Sequence, residues 1–415
     1  MADVSDATTD PADVGTTVRG QPLEGVVVLD LGQIYNAPYA TLLMALAGAQ
    51  VVKVEPRTGE NLRGRTQAAG AGAPFAMLNS NKRGITLDLR TDRGRDLLLG
   101  LAERADVFVE NFRPGVTDRL GVGPETLQER NPRLIYATSS GFGLTGPYRD
   151  YAAMDLTVQA IAGIMSITGF PDRPPVKAGP ALCDFFAGIH LYGAIATALY
   201  ERERTGVGRV IETSMFESVY PSLMSSLGLY FGSGGGDVPL RTGNRHAGLA
   251  EAPYNVYPAA DGYVAIICVS EQHWASLATL MGREDLVDAG GWATRHERVE
   301  RIDEVDEVVG AYTSRYPRDQ LLALLRGARV PCAPVRTINE VVTDEHLHAR
   351  GMLQEIDHPE LGRLTVPHSP LRYAGVERLP LTPSPGLGEH NAEVLREWLG
   401  LDDDEIDELT RAEVI

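Results

Sequence analysis

Short apolar runs alternate with segments of helical period through the first half of the chain. The run GVVVLDL, Gly25 to Leu31, is followed by PYATLLMALAGA (Pro38 to Ala49) at helical spacing, and then by a second apolar run, AQVVKVE, ending at Glu55. Strand-length apolar runs on either side of a helical segment predict a β-α-β unit. The pattern recurs as GITLDL (Gly84 to Leu89), a helix from Arg90 to Ala105, DVFVENF (Asp106 to Phe112), short helices to Arg130, and RLIYATSS (Arg133 to Ser140). Strands that read as continuous apolar runs belong to a parallel sheet covered on both faces.

Two longer helices are predicted next, from about Asp155 to Thr168 and from about Phe185 to Arg204. The second is rich in small residues, among them Gly188, Ala194, Ala196 and Ala198, which allow close packing. A strand RVIETSM and an apolar helix through Phe231 follow, and both stop at the loop GSGGGD, residues 232 to 237. Beyond it the texture changes to shorter strands and aromatic-rich segments such as YNVYPAADGYVAII. The expected organisation is an N-terminal tail over 1–22, a large domain over 23–220 completed by about 380–415, a small α+β domain over 245–340, and an extended Pro- and Gly-rich return linker over 341–380.

Composition narrows the function classes. Lys and Arg total 38 against 56 Asp and Glu, a formal charge of −18. Such a surface repels a phosphate backbone and argues against nucleic-acid binding. An anionic ligand then needs a local basic patch. Cys183, Cys268 and Cys332 are scattered and lack CxxC spacing, which fits a reducing cytoplasm and no zinc cluster. The mean hydropathy is −0.12, and no run approaches 18 uninterrupted apolar residues. The first twenty or so residues carry four Asp and no apolar core, unlike a signal or transit peptide. A cytoplasmic protein without membrane or metal partners is expected.

Familiar chemistries fail on the residues. The turn after the first strand, LGQIYNAPYA, is not GxGxxG, and GSGGGD lacks the Lys-Ser/Thr of a Walker sequence. The nine histidines show no HExxH spacing, and GxSxG is absent. Asp184 stands out. It lies in GPALCDFFAGIHLYGA at the start of the small-residue helix, where it is either an N-cap or a carboxylate kept ionised by the free amides and usable as a nucleophile.

These residues carry a resemblance. AGAQVVKVEPRTGENLRG, NSNKRGITLDL, VENFRPGVTDRLG, NPRLIYATSSGFGLTGPY, the Asp184 segment, ERERTGVGRVIETSMFESV, RTGNRH, VPCAPV and GEHNAEVL together resemble the family III CoA-transferases, which include α-methylacyl-CoA racemases. The resemblance runs from about Leu23 to Ile415. It implies a Rossmann-like large domain with a parallel sheet, a smaller α+β domain, long linkers and an interlocked homodimer. It implies that Asp184 attacks an acyl-CoA thioester, with Asp155 near the reacting groups. Asn81, Lys82, Arg83, Asn111 and Arg119 fall on CoA-site positions, and NSNKR would supply the basic patch. No permanently bound cofactor is implied; CoA enters as acyl-CoA substrate, with a carboxylic acid as partner. Tyr35 replaces the Gln of formyl-CoA-transferase-like members, which speaks against formyl or oxalyl specificity. Met154 replaces the His of the racemase branch, which speaks against racemisation.

Overall fold

The predicted strands and helices form in the order the hydrophobic runs dictate. In chain order the elements are β1 (Val27–Asp30), α1 (Asn36–Ala45), β2 (Gln50–Glu55), α2 (Ala73–Asn79), β3 (Arg83–Thr86), α3 (Asp92–Ala102), β4 (Val107–Glu110), α4 (Val116–Arg119), α5 (Pro124–Arg130) and β5 (Ile135–Ser140). There follow α6 (Asp155–Ile161), α7 (Ile164–Ile167), α8 (Leu182–Thr205), β6 (Val210–Ser214), α9 (Met215–Val219), α10 (Met224–Gly232), β7 (Tyr254–Ala259), β8 (Gly262–Ile267), α11 (Glu271–Met281), α12 (Arg295–Glu300), α13 (Ile302–Thr313), α14 (Arg318–Gly327) and β9 (Cys332–Pro334). The chain ends with α15 (Ile338–Val342), α16 (Glu345–Ala349), β10 (Leu353–His358), β11 (Gly362–Pro367), α17 (Asn391–Leu399) and α18 (Asp403–Arg411). This is a computed structural model describing residues 20–64, 72–236, 238–288 and 290–415. The expected tail lies outside the described residues as far as residue 19.

The chain divides into two units. The first comprises residues 1–140, 188–213 and 345–415 and is built on a six-stranded sheet of order β3-β2-β1-β4-β5-β6, with β1, β2, β3, β4 and β5 running parallel. Alternate residues of each strand point to opposite faces. Leu29, Val52 and Phe108 pack with Leu98 of α3, with Val394, Leu395 and Trp398 of α17, and with Leu409 of α18. Val28, Val51 and Val107 pack on the other face with Ala40 and Met44 of α1 and with Leu191 and Ile195 of α8. Each such large side chain, fully buried, contributes about 1.5–3 kcal/mol, so a sheet apolar on both faces requires helices on both. The C-terminal segment closes the unit, with the Asp88 N–H donating to the Val414 carbonyl at 2.8 Å.

The second unit comprises residues 141–187 and 214–344 and holds two clusters. One surrounds Trp274, Leu277, Val305 and Leu321 beside the antiparallel sheet β7-β8-β9. The other gathers Val158, Ile164, Cys183, Met215 and Leu223.

Three expectations change. The helix read over 155–168 is two helices, because Gly163 at φ +86 turns the chain out of helical conformation. Residues 141–187 belong with the second unit, and so does 214–244, because their apolar side chains form a cluster of their own rather than covering the sheet. The stretch 341–380 is no plain linker. It carries α16 and a hairpin whose strands pair from Leu353 with Pro367 to His358 with Gly362. By length and composition α8 is apolar enough to cross a membrane, but 44% of that window is buried within the protein.

Candidate active site

Between β1 and β4 the strand order of the first unit reverses, and at such a point in a parallel sheet the loops beyond the strand C-termini separate and leave a crevice. The loop leaving β1 is held from several strands at once. Gly32 N–H donates to Asp30 Oδ1 at 2.8 Å, Gln33 N–H to Asn111 Oδ1 at 2.7 Å, and Ile34 N–H to Glu60 Oε2 at 3.0 Å. Asn111 Nδ2 returns a bond to the Gln33 carbonyl at 2.9 Å, and the Lys53 ammonium donates to the Gly32 carbonyl. Ile34 has φ +65, a conformation that a β-branched residue rarely adopts, at a strain of about 1–3 kcal/mol. The clamping bonds hold it there. Beside this loop opens a cavity of about 420 Å³, walled by Gln33, Arg57, Leu89, Arg90, Phe112 and Leu120.

The residues expected to form a basic patch do something else. Lys82 is fully buried, and its Nζ donates to Asp30 Oδ2, Thr41 Oγ1 and Asn79 Oδ1, each at 2.9 Å, and to the Pro38 carbonyl at 3.1 Å. Burial opposes ionisation of Asp30, yet the neighbouring Lys82 and Lys53 ammonium groups outweigh it and hold the carboxyl below its usual range. Burial also brings Lys82 down to about 8 against the pull of Asp30. With four acceptors around Nζ, the charged pair is the form the geometry supports at neutral pH. Arg83 pairs with Glu393 and Glu397 at 3.1 and 2.5 Å and stacks over Trp398. Asn81, at φ +60, bonds the Pro380 carbonyl and the Thr382 amide at 2.9 and 3.0 Å. In this geometry Asn81 and Arg83 staple the sheet edge to the C-terminal segment, while Lys82 forms a buried ion pair with Asp30.

Asn111 holds the Gln33 backbone, as described. Arg119 ends α4 beside Leu120 of the cavity wall, exposed and without an ion pair among the described residues. Sequence reasoning missed Arg57 and Arg90 as lining residues. Arg57 pairs with Glu413 at 3.3 Å, and Arg90 makes two 2.8 Å bonds to Asp88. Their signal lay in their positions, a few residues beyond the ends of β2 and β3, on the edge of the sheet where ligands are held.

The two predicted acidic residues both lie in the second unit, where Asp155 bonds the backbone of the residue before Asp184. Asp155 opens α6. Its Oδ1 accepts the Cys183 N–H at 2.8 Å, and its Oδ2 accepts Gln159 Nε2 at 2.7 Å. Gln159 also bonds the Ala178 N–H at 2.9 Å and the Pro180 carbonyl at 3.3 Å, fixing the segment that leads into α8. Asp184 is therefore not the N-cap that its pattern suggests. It is the third residue of α8, 9% exposed, and a free amide of that first turn is taken by Asp155 from another helix. The positive end of a 24-residue helix favours a carboxylate there. Burial and the charges of Asp155 and Asp184 push the neighbouring Cys183 thiol up to about 12, so it stays protonated and is a poor nucleophile at neutral pH. Met154 precedes α6 with its side chain 53% exposed. Among the described residues no three His, Cys, Asp or Glu side chains converge as a metal site requires.

Residues 23–391 match the profile described as CoA-transferase family III. The chain is 37% identical over 400 residues to a formyl-CoA:oxalate CoA-transferase of Streptomyces avermitilis, covering 92% of this chain and 97% of that one. It is 37% identical over 386 residues to a succinyl-CoA:mesaconate CoA-transferase of Haloarcula hispanica, covering 90% and 96%. The crystal structure of a CaiB/BaiF family protein from Brucella suis superposes with a TM-score of 0.81 at 35% identity, covering 92% of this chain and all of that one.

Proposed function

Because the chain belongs to CoA-transferase family III, it is an enzyme that transfers CoA, and we propose that it moves CoA from an acyl-CoA thioester to a free carboxylic acid through covalent intermediates on Asp184. The observation that carries this reading is the local division of labour between two carboxylates. Asp155 takes the Cys183 amide, and Asp184 stands within the first turn of α8, where the helix end stabilises an ionised carboxylate.

The steps balance without any added proton. The Asp184 carboxylate attacks the thioester carbonyl and the C–S bond breaks, giving an acyl-aspartyl anhydride and CoA thiolate. The thiolate attacks the aspartyl carbonyl, forming an aspartyl-CoA thioester and releasing the first acid as its carboxylate. The acceptor carboxylate attacks that thioester, giving a second anhydride and thiolate. Attack of the thiolate on the new acyl carbonyl yields the product acyl-CoA and regenerates Asp184. Asp155 acts in this scheme as a positioning residue through the Cys183 amide. Anhydrides hydrolyse readily, so water must be excluded during the exchange.

We assign CoA binding to the cavity of the first unit. We assign its phosphates to Arg57 and Arg90, which line that cavity, and to Arg119, which precedes the lining residue Leu120. Removing the charge of Arg57 or Arg119 is expected to raise KM for the acyl-CoA about tenfold and KM for the acid far less, an effect that fades as salt rises. Equal losses for both substrates would show that these residues act through the fold instead. The acceptors named for the two relatives above, oxalate and mesaconate, are both dicarboxylates, and we carry that class over to the acceptor here.

We further propose a homodimer of the interlocked kind. In its support, α10, MSSLGLYFG, has no buried residue, and Met224 and Phe231 are 66% and 69% exposed. Apolar surface of that extent calls for a cover, and a second copy supplies it. One preparation tests both proposals. Sedimentation should return twice the 44.8 kDa chain mass. Succinyl-CoA, acetyl-CoA and formyl-CoA assayed against a panel of mono- and dicarboxylates should give transfer. A 2-methylacyl-CoA in heavy water should not take up deuterium at Cα, because the thioether of Met154 neither accepts nor donates a proton. Rapid deuterium uptake with no transfer to any acid would make the enzyme a racemase, and a single-chain mass would remove the dimer.

A further inference from the structure

One carboxyl beneath the cavity has no part in the scheme above. Glu110 ends β4, and its side chain is buried. Its Oε2 accepts the Phe112 N–H at 2.6 Å, and its Oε1 lies 3.4 Å from the Tyr136 hydroxyl. Tyr136 donates in turn to Thr117 Oγ1 at 2.9 Å. Phe112 forms one wall of the cavity; Thr117 lies in α4, which runs directly into Leu120 of another wall. A hydrogen-bonded chain through Glu110 and Tyr136 therefore ties the two walls together across β4 and β5.

Among the described residues no ion pair reaches this carboxyl. Tyr136 and Thr138 face it from β5, Thr117 and Asp118 from α4, and on the β1 side the residue bonded beside the strand end is Leu31. The one charged group in that set is Asp118, another carboxylate. Burial above all, with the like charge of Asp118 adding a little, pushes Glu110 up to about 7, against the hydrogen bonds from Thr138 and Phe112.

We infer that Glu110 is a positioning residue of the acyl-CoA cavity, tying Phe112 to α4, and that the polyanionic ligand binds the form in which this carboxyl is neutral. The inference rests on the assignment of the cavity to CoA. A buried carboxylate without a counterion and an incoming set of phosphates repel each other through a low-dielectric wall. A proton on Glu110 removes that repulsion and leaves the Phe112 N–H an acceptor. By linkage, affinity then falls as pH rises past the value at which free Glu110 ionises.

The test is calorimetric titration of CoA into the intact enzyme and its E110Q and Y136F variants at pH 6.0, 7.0 and 8.5. The phosphomonoester of CoA titrates near pH 6 and contributes equally to every protein, so the difference between proteins is the readout. Wild type should weaken about tenfold more than E110Q between pH 6.0 and 8.5, because Gln keeps the acceptor for Phe112 and carries no charge. Y136F, which cuts the tie to Thr117, should bind more weakly at every pH while keeping the wild-type slope. Parallel profiles for wild type and E110Q would overturn the protonation link. Wild-type affinity in Y136F would overturn the positioning role, and that arm decides the matter if E110Q does not fold. A wild type that binds no CoA at any pH would overturn the cavity assignment itself and this inference with it, and is recognisable because no slope is then measured.

Discussion

Asp184→Ala is expected to lose CoA transfer by at least about three orders of magnitude, because a covalent nucleophile has no substitute in the scheme. The fold should survive. Asp184 lies in the first turn of α8, where a carboxylate contributes only about 0.3–1 kcal/mol through the helix dipole, and the Cys183 amide remains bonded to Asp155. Two measurements check this. A melting curve close to wild type, alongside lost turnover, separates chemistry from folding. Hydroxylamine added to wild-type enzyme with acyl-CoA should convert the Asp184 side chain to a hydroxamate, found in a peptide mass map and absent without acyl-CoA. Retained turnover in the variant, or an unmodified Asp184 peptide, would remove Asp184 from the mechanism.

Asp30→Ala is expected to be the most destabilising single change in the sheet, at about 3–5 kcal/mol. It leaves the ammonium of Lys82, fully buried, without its carboxylate, and strips Lys53 of a second neighbour. The pair D30N with K82M removes both charges and should recover a large part of that loss, since the penalty belongs to the uncompensated charge more than to the missing bond. Urea unfolding of the two variants measures the difference. If the double variant is no more stable than D30A, the buried pair is not the source of the effect. The pH dependence has a definite sign. The native carboxyl of Asp30 lies below its unfolded value of about 3.9, so its stabilisation is fully present above that pH and is lost as pH falls through the native value. Because Asp30 Oδ1 also holds the Gly32 amide, D30A should loosen the strained loop at Ile34 as well, and KM for the acyl-CoA should rise with it.

Much of the fold was legible in the chain because burial leaves a local mark. The runs ending at Leu31, Glu55, Leu89, Phe112 and Ser140 became five parallel strands that end at Asp30, Glu55, Thr86, Glu110 and Ser140, each within a few residues of its expected bounds. Their apolar character on both faces required helices on both faces, and this is what the two clusters of the first unit contain. Asp184 was legible as a carboxylate at a helix start. The hairpin at 353–367 was hidden because its Pro- and Gly-rich surroundings look like linker. The break at Gly163 was hidden because one glycine within an apolar stretch reads equally well as helix.

What the sequence determined by itself was the order of strands and helices in the parallel sheet and which of their faces are buried, since hydrophobic periodicity records burial residue by residue within a window of a few turns. What only the tertiary structure decided was the partner of each charge. Lys82 in NSNKR looks like a cation offered to an anion until the sheet brings Asp30, 52 residues away, to within 2.9 Å of it. Arg83 reads the same way until Glu393, 310 residues along, arrives beside it. Asp184 reads as an N-cap until Asp155, on another helix, takes the Cys183 amide. A charged side chain carries no local trace of where its counter-charge will come from, because that distance is set by the topology of the chain; only the folded arrangement separates a buried ion pair from an exposed charge, or a cap from a residue inside the first turn.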